Sequence, residues 1–421
     1  MTDLSVQASK EILAADGTPL KEKLVQTNRK RRRRALALVI PLLFFVLITF
    51  LIPIADMLFK SVEDPVVGSL VPKTVAQLDR WSGDGLPKEI VFETLAKELL
   101  LRRKDQTIGE IASRLNFEKS GMRSLITKSG RKLQRVKGGP YKEKLIKIDK
   151  KWGDRDTWAV IKRLSKPLTA VHYLAAIDKK FNADGAIIPQ PEVRQIYNIL
   201  WSRTLWISLL VTIFCLLLGY PVSYLLATLP LRTSNLLMIL ILLPFWTSLL
   251  VRTTSWIVLL QSQGVINDLL VWIGVISDKY RIRMIYNQTG TLIAMTQILL
   301  PFMILPLYSV MKTIPPSYML AAQSLGATPA RAFIKIYMPQ TIPGIGAGSL
   351  LVFILAIGYY ITPALVGGQD GQLISNFIAY HMKSSLNWGL AGALGTILLV
   401  VVLLLYWLYN KIVGIDNMKL G

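Results

Sequence analysis

The residues of this chain that could do chemistry are few, and their spacing argues against catalysis. The two histidines, His172 and His381, lie far apart and lack the spacing of metal ligands. The lone cysteine, Cys215, sits inside an apolar run. It excludes an intrachain disulfide and a cysteine metal cluster, and reads as a small core residue. There is no Gly-x4-Gly-Lys-Ser/Thr phosphate loop and no Gly-x-Ser-x-Gly nucleophile turn. Asp178-x3-Asn182-x-Asp184-Gly185 approaches a calcium loop, but its spacing is wrong and no Glu stands at the twelfth position. No metal and no cofactor is expected in this chain.

What remains is mechanical chemistry in one stretch. Pro315-Pro316-Ser317 ends one element and offers Ser317 as the N-cap of a short helix, Tyr318–Leu325. Gly326 follows where a helix terminator with positive φ would sit. Thr328-Pro329 reads as an N-cap plus a proline at the first helical position of a second helix, Ala330–Tyr337, which Pro339 closes. The pattern predicts two short helices folded on one glycine. An ordinary connector with the same caps is the alternative.

The elements that carry this stretch are membrane helices. Of the 421 residues, 52% are hydrophobic and 18% charged, and mean hydropathy is +0.43. The apolar residues come in runs long enough to cross a bilayer, which takes roughly 20 residues. Six spans are expected: Leu36–Leu58, Leu200–Leu226, Leu236–Leu260, Leu292–Met311, Ile345–Thr362 and Leu390–Tyr409. The chain is read as an all-α membrane protein with a cytoplasmic tail over 1–34, a first transmembrane helix over 36–58 and a large insert over 60–195. A five-helix core over 197–412 and a cytoplasmic C-terminus over 413–421 complete it. The first span is taken as an uncleaved anchor, because no small-residue cleavage site follows Phe50-Leu51-Ile52-Pro53.

Charge sets the orientation. The block Arg29-Lys30-Arg31-Arg32-Arg33-Arg34 precedes the first span and belongs inside. Arg232, the loop with Lys312, Arg331 and Lys335, and the tail with Lys411 and Lys419 then fall inside as well. The formal charge of +23 could suggest nucleic acid, yet 28 of the 49 Lys and Arg lie between Lys60 and Arg194, against 17 acidic residues, a local excess of +11 (28 − 17). Long loops translocate largely regardless of charge, so this insert is expected outside. Its helical spacing, as in Val91-Phe92-x-x-Leu95-Ala96-x-x-Leu99-Leu100, predicts a mainly helical domain with turns at Gly138-Gly139-Pro140 and Ile187–Pro191. Thr107–Asn116 followed by Met122–Ile126 mimics a DNA-binding helix-turn-helix, but an outside location denies it DNA, and no nucleic-acid partner is expected.

Leu320-Ala321-Ala322-x3-Gly326-x9-Ile336-x-Met338-Pro339 resembles the loop signature of binding-protein-dependent import permeases, Glu-Ala-Ala-x3-Gly-x9-Ile-x-Leu-Pro. Two further stretches are similar to the spermidine/putrescine-type branch. They are Gly219-Tyr220-Pro221-Val222-Ser223-Tyr224-Leu225-Leu226-Ala227 and Leu243–Trp256, the latter followed by Gly264-Val265-Ile266-Asn267. The likeness covers 36–60 and 197–412. It implies the permease subunit of an ATP-driven (ABC) importer in the bacterial inner membrane, with a coupling loop over 313–340 that inserts into a cleft of an ATPase. It also implies a second permease subunit, two ATPase subunits that bind ATP and Mg, and an extracytoplasmic solute-binding protein. The expected solute is small and charged, a polyamine or similar. Two departures stand out: the signature Glu is Leu320 here, and the insert far exceeds the usual outer loop.

Alternating access, which the resemblance implies, needs polar groups along the path. Arg252 is the clearest intramembrane ion, and it either faces that path or snorkels to the outer interface. Trp246 and Trp256 either line the path by cation–π contact or anchor the chain at the interface. Tyr359, Tyr360 and Thr362 are weaker candidates of the same kind. Two rival classes are a single-component transporter or channel, for which the spans offer no buried Asp or Glu, and a membrane-anchored regulator using the insert.

Overall fold

A computed structural model of the chain describes residues 20–136 and 138–413. The backbone divides after Phe59 into two units. In the first, α1 (Leu20–Val46) passes through a π-turn, Leu47–Leu51, into α2 (Ile52–Lys60). The expected first span lies inside this continuous helix. Residues 20–34, read from the sequence as part of a tail outside the first span, are helical too, since Arg, Lys and Leu are good helix formers attached to an existing helix. The remainder of that tail, 1–19, and the C-terminal residues 414–421 with Lys419 lie outside the described residues.

The second unit opens with the inserted segment. It holds α3 (Val66–Leu70), α4 (Pro72–Asp79), α5 (Glu89–Lys104), α6 (Ile108–Glu118), α7 (Met122–Leu133), α8 (Tyr141–Ile148), α9 (Arg155–Arg163) and α10 (Val171–Ala175). Val91, Phe92, Leu95, Ala96 and Leu99 of α5 face a water-excluding core shared with Trp152 and Trp158. Glu98, buried in that core, is satisfied by the N-terminus of α4: its carboxylate accepts from the amides of Lys73 and Thr74 at 2.9 Å each and from the Thr74 hydroxyl at 2.6 Å. A hairpin of β1 (Lys179–Phe181) and β2 (Ile187–Pro189) follows, with Lys180 opposite Ile188. Ile187–Pro189, expected as a turn, is therefore a strand. The calcium-like Asn182 and Asp184 form the hairpin turn: Asn182 Oδ1 accepts from the amides of Asp184 and Ala186, and Asp184 pairs with Arg155 at 2.7 Å.

The apolar region comprises α11 (Tyr197–Thr228), α12 (Leu231–Leu242), α13 (Leu249–Leu260), α14 (Val265–Trp272), α15 (Gln288–Thr313), α16 (Ser317–Ser324), α17 (Pro329–Ala332), α18 (Met338–Gln340), α19 (Ile342–Gly358), α20 (Ile361–Val366), α21 (Ile374–Lys383) and α22 (Trp388–Val413). Ile207, Val211 and Cys215 of α11, Met295, Leu299 and Met303 of α15, and Val352 and Ala356 of α19 form one buried cluster. At Gly348 a Cβ would lie 3.2 Å from the Met303 carbonyl oxygen, so glycine permits the close approach of α19 to α15. Among the described residues four helices are long and apolar enough to cross a membrane, and two further stretches qualify as bent pairs.

The bends correct two expectations. The segment Leu236–Leu260 is not one straight helix: the chain turns by 95° between Leu231–Trp246 and Leu249–Trp272. Pro244 cannot donate a helical hydrogen bond, Leu243–Trp246 tightens to a 3-10 turn, and Thr247 and Ser248 are extended. The fifth apolar helix ends at Gly358, and Thr362 begins again in α20 after the break at Tyr359-Tyr360.

Candidate functional site

The stretch between α15 and α19 builds its turn from backbone groups. The amide of Ala327 donates to the Ala322 carbonyl at 3.0 Å and that of Gly326 to Gln323 at 2.9 Å. With Gly326 at φ +87°, this is the double-bonded αL termination that glycine favours. Thr328 Oγ1 then accepts from the Arg331 amide at 3.4 Å and Pro329 opens α17, as the spacing predicts. Three details differ. Pro316, not Ser317, occupies the cap position of α16, because Ser317 already adopts helical geometry. The second helix is not continuous: a π-turn at Phe333–Tyr337 separates α17 from α18. Pro339 does not close it but sits inside α18, where the wider π-turn absorbs its missing N–H. The chain then bends by 60° into α19.

Leu320, Ala321, Gly326, Ile336 and Pro339 are exposed and Ala322 is half-buried. Leu320 is 63% exposed and Leu325 89% exposed, so the turn presents an apolar surface. Beneath it lies an aromatic seat. Tyr224 meets Phe333 edge-on at 5.2 Å and Tyr337 at 5.3 Å, and Tyr220 meets Phe333 at 6.3 Å. Such pairs contribute about 0.5–1.5 kcal/mol each beyond their buried area. The Tyr220 hydroxyl is 3.1 Å from Thr341 Oγ1, and Lys312 Nζ donates to the Ala227 carbonyl at 3.3 Å. The turn is thereby held to the C-terminal end of α11. Tyr220, Tyr224, Phe333 and Tyr337 escaped the sequence reading of the site, although the stretch 219–227 had marked two of them.

The path candidates do not form one cluster. Arg252 stacks over Phe245 at 5.9 Å, and its buried Nε has no hydrogen-bond partner among the described residues. Trp256 donates to Gln297 Oε1 at 3.2 Å and packs against Leu260, Ile285 and Val366. Trp246 is 85% exposed. The carbonyls of Tyr359 and Tyr360 accept from Ser375 Oγ and Asn376 Nδ2, each at 2.7 Å, which ties them to α21, and Lys383 lies over the Tyr360 ring at 5.5 Å. Thr362 Oγ1 is 3.4 Å from Thr253 Oγ1 on α13.

At its N-terminal end α11 meets the inserted segment. The buried Asp178 carboxylate accepts from three successive amides, Ile196 and Tyr197 at 3.0 Å and Asn198 at 2.7 Å, and so caps the helix. An anion at a helix N-terminus is doubly favoured, by unsatisfied N–H groups and by the helix dipole. Trp201 Nε1 donates to the Ala176 carbonyl at 3.0 Å, and the Tyr197 hydroxyl lies 2.8 Å from His381 Nε2 on α21. Along α11 this junction at Tyr197 lies about 35–40 Å from the aromatic seat at Tyr220 and Tyr224, at 1.5 Å per residue.

The profile of a family described as "Binding-protein-dependent transport system inner membrane component" matches residues 204–413. Over 215 residues the chain is 37% identical to the Spermidine/putrescine transport system permease protein PotB of Escherichia coli (strain K12), covering 50% of this chain and 78% of that protein. The protein of the same name from Haemophilus influenzae is 35% identical over 226 residues, covering 52% and 78% respectively. A crystal structure of a bacterial alginate ABC transporter with an alginate pentasaccharide-bound periplasmic protein aligns over 51% of this chain and 77% of that one, with a TM-score of 0.41 and 19% identity.

Proposed function

This chain belongs to the family of binding-protein-dependent transport system inner membrane components, and from that premise we propose that it is the permease subunit of an ABC importer for a polyamine or polyamine-like solute. It is a multi-pass inner-membrane protein whose apolar helices cross the bilayer. Counting each bent pair as one span gives six. The basic loops with Arg232, Lys312, Arg331 and Lys335 face the cytoplasm under the positive-inside rule, as do both termini. The insert faces outward; its attachment to the end of α11 opposite the Gly326 turn supports this reading.

The observation that carries the coupling role is the exposed, glycine-terminated turn seated on α11, α15 and α19. Residues 313–340 dock into an ATPase subunit, with Leu320, Leu325 and Ile336 supplying apolar contact and Ala321 and Ala322 allowing close approach. Movement imposed there passes through Phe333 and Tyr337 to Tyr220 and Tyr224, and so tilts α11. Two ATPase subunits that bind ATP and Mg, a second permease subunit and an extracytoplasmic binding protein complete the assembly.

Between Tyr197 and Val413 the only acidic residues are Asp268, Asp278 and Asp370. None lies on α11, α15, α19 or α22, so these helices offer no carboxylate for a coupling ion, which favours ATP over an ion gradient. A polycation passing beside Arg252, Trp256 and Tyr359 would meet aromatic faces and carbonyls, and the second permease subunit would then supply neutralising charge. The test is ATP-dependent uptake of radiolabelled spermidine by proteoliposomes holding the full assembly. Uptake should require both ATP and the binding protein; uptake driven by an ion gradient without ATP would sink the reading.

A further inference from the structure

Between the insert and the corner of α21 and α22 lies a cavity of about 320 Å³, within the roughly 300–1,000 Å³ typical of small-molecule sites. Four cations line it: Arg114, Lys179, Lys180 and Arg194. Arg114 is neutralised by Asp64, whose Oδ2 accepts from its Nε at 2.7 Å. Arg194 bonds to neutral acceptors, the Phe117 carbonyl at 3.1 Å and the Ser120 hydroxyl. Lys179 and Lys180 have no carboxylate partner among the described residues. The one acid in the wall, Glu118, already accepts from Arg163 at 2.9 Å. Three positive charges thus face a cavity whose carboxylate is engaged elsewhere, and such mutual repulsion is relieved by an anion.

A second observation points to the same occupant. His172 is 5% exposed and lines the cavity, yet its ring makes no hydrogen bond among the described residues. Its ring fills the space where a Cβ on Gly389, at the start of α22, would sit. Burial and the nearby Arg114 push its pKa down to about 3, so at neutral pH it offers an uncharged N–H donor. Its neighbour His381 is already engaged by Tyr197 and by the Ser385 hydroxyl at 2.8 Å. A ring N–H with no protein acceptor is left to whatever occupies the cavity it lines.

We propose that this cavity binds a phosphate-bearing anion, held by Lys179, Lys180 and Arg194 with His172 as donor, and that occupancy fastens the insert to α21 and α22. A phosphate presents up to two negative charges and three acceptor oxygens, which matches three cations and one N–H better than a single carboxylate does. The source is either a soluble phosphate ester or an anionic phospholipid headgroup, since the cavity opens where α11 and α22 begin.

The test uses the full-length chain in phosphatidylcholine nanodiscs, titrated with glycerol 1-phosphate at constant ionic strength while the thermal midpoint is followed. Nanodiscs doped with phosphatidylglycerol form the second arm. A saturable rise in either arm, reduced about tenfold or more in apparent affinity by K179Q/K180Q/R194Q, supports the site; the arm that responds identifies the source. K180Q alone should lose part of the affinity if the triple variant fails to fold. No saturable response beyond chloride in either arm, undiminished binding by the triple variant, or an equal response to succinate would overturn the proposal. None of these outcomes depends on transport.

Discussion

In the insert, Phe92, Trp152 and Trp158 are fully buried against one another, with Phe92 and Trp158 ring centroids 4.5 Å apart. On α11, by contrast, Leu217 is 64% exposed, and only 33% of that helix's most apolar window is buried; on α22 the share is 28%. Both regions are rich in large apolar residues, yet one hides them and the other displays them. Water is the solvent of the first and lipid of the second, so an exposed leucine costs nothing where the surroundings are equally apolar. The apolar region also buries polar residues beside its apolar cluster: Ser208, Thr212 and Ser223 of α11 are buried, and Thr212 and Ser223 hydrogen-bond to backbone carbonyls. The insert therefore derives its stability from hydrophobic burial, and the core from close packing and satisfied backbone.

The largest test of this contrast is Trp158→Ala, which removes a fully buried indole and should cost about 3–5 kcal/mol. Leu217→Ala, on the lipid face, should leave stability within about 0.5 kcal/mol. Limited proteolysis and thermal unfolding of the full-length chain read both; equal losses would erase the distinction. Next comes pH. The pKa of His172 lies near 3 in the folded chain against about 6.5 when exposed. Below pH 6.5 the unfolded chain takes up a proton that the folded one refuses. Stability should therefore fall by up to about 1.4 kcal/mol per pH unit between 6.5 and 3. Thermal midpoints at pH 7.5 and 5.0 measure the slope, and His172→Gln should flatten it.

Asp178→Ala strips the cap from α11 and should cost about 1–2 kcal/mol, read as faster proteolysis at the junction near Gln195 while the insert core remains protected. At the other end of α11 the effect should be functional. Gly326→Asp meets no steric obstacle, since no atom lies within 4 Å of the position its Cβ would take, but the left-handed backbone costs on the order of 1 kcal/mol for a non-glycine residue. Membrane insertion should persist while ATPase co-purification and uptake drop together; retention of both would reduce the turn to a connector. Leu320→Ala, which trims one exposed contact, should give the smallest change in the same two assays.

The apolar runs, the basic block and the cap at Thr328 with Pro329 were legible along the chain because each arises within a few residues. Gly326 was legible for the same reason, since a termination bonded from Ala327 to Ala322 needs only local sequence. The same local reading stopped one step short at Pro339, because whether a proline ends a helix or is absorbed by a π-turn depends on what packs against it. Here Tyr224 on α11 holds Phe333 and Tyr337 in place.

By itself, then, the sequence determined that the chain is helical, where its apolar segments run, and which turn projects between the fourth and fifth of them. Tertiary structure alone decided the capping of α11 by Asp178 and the meeting of Tyr197 with His381. It also decided which leucines face lipid. Periodicity and capping are set by neighbours within one or two helical turns. A carboxylate 19 residues from the amide it caps, or a tyrosine 184 residues from its histidine, finds its partner only once packing has brought distant segments together.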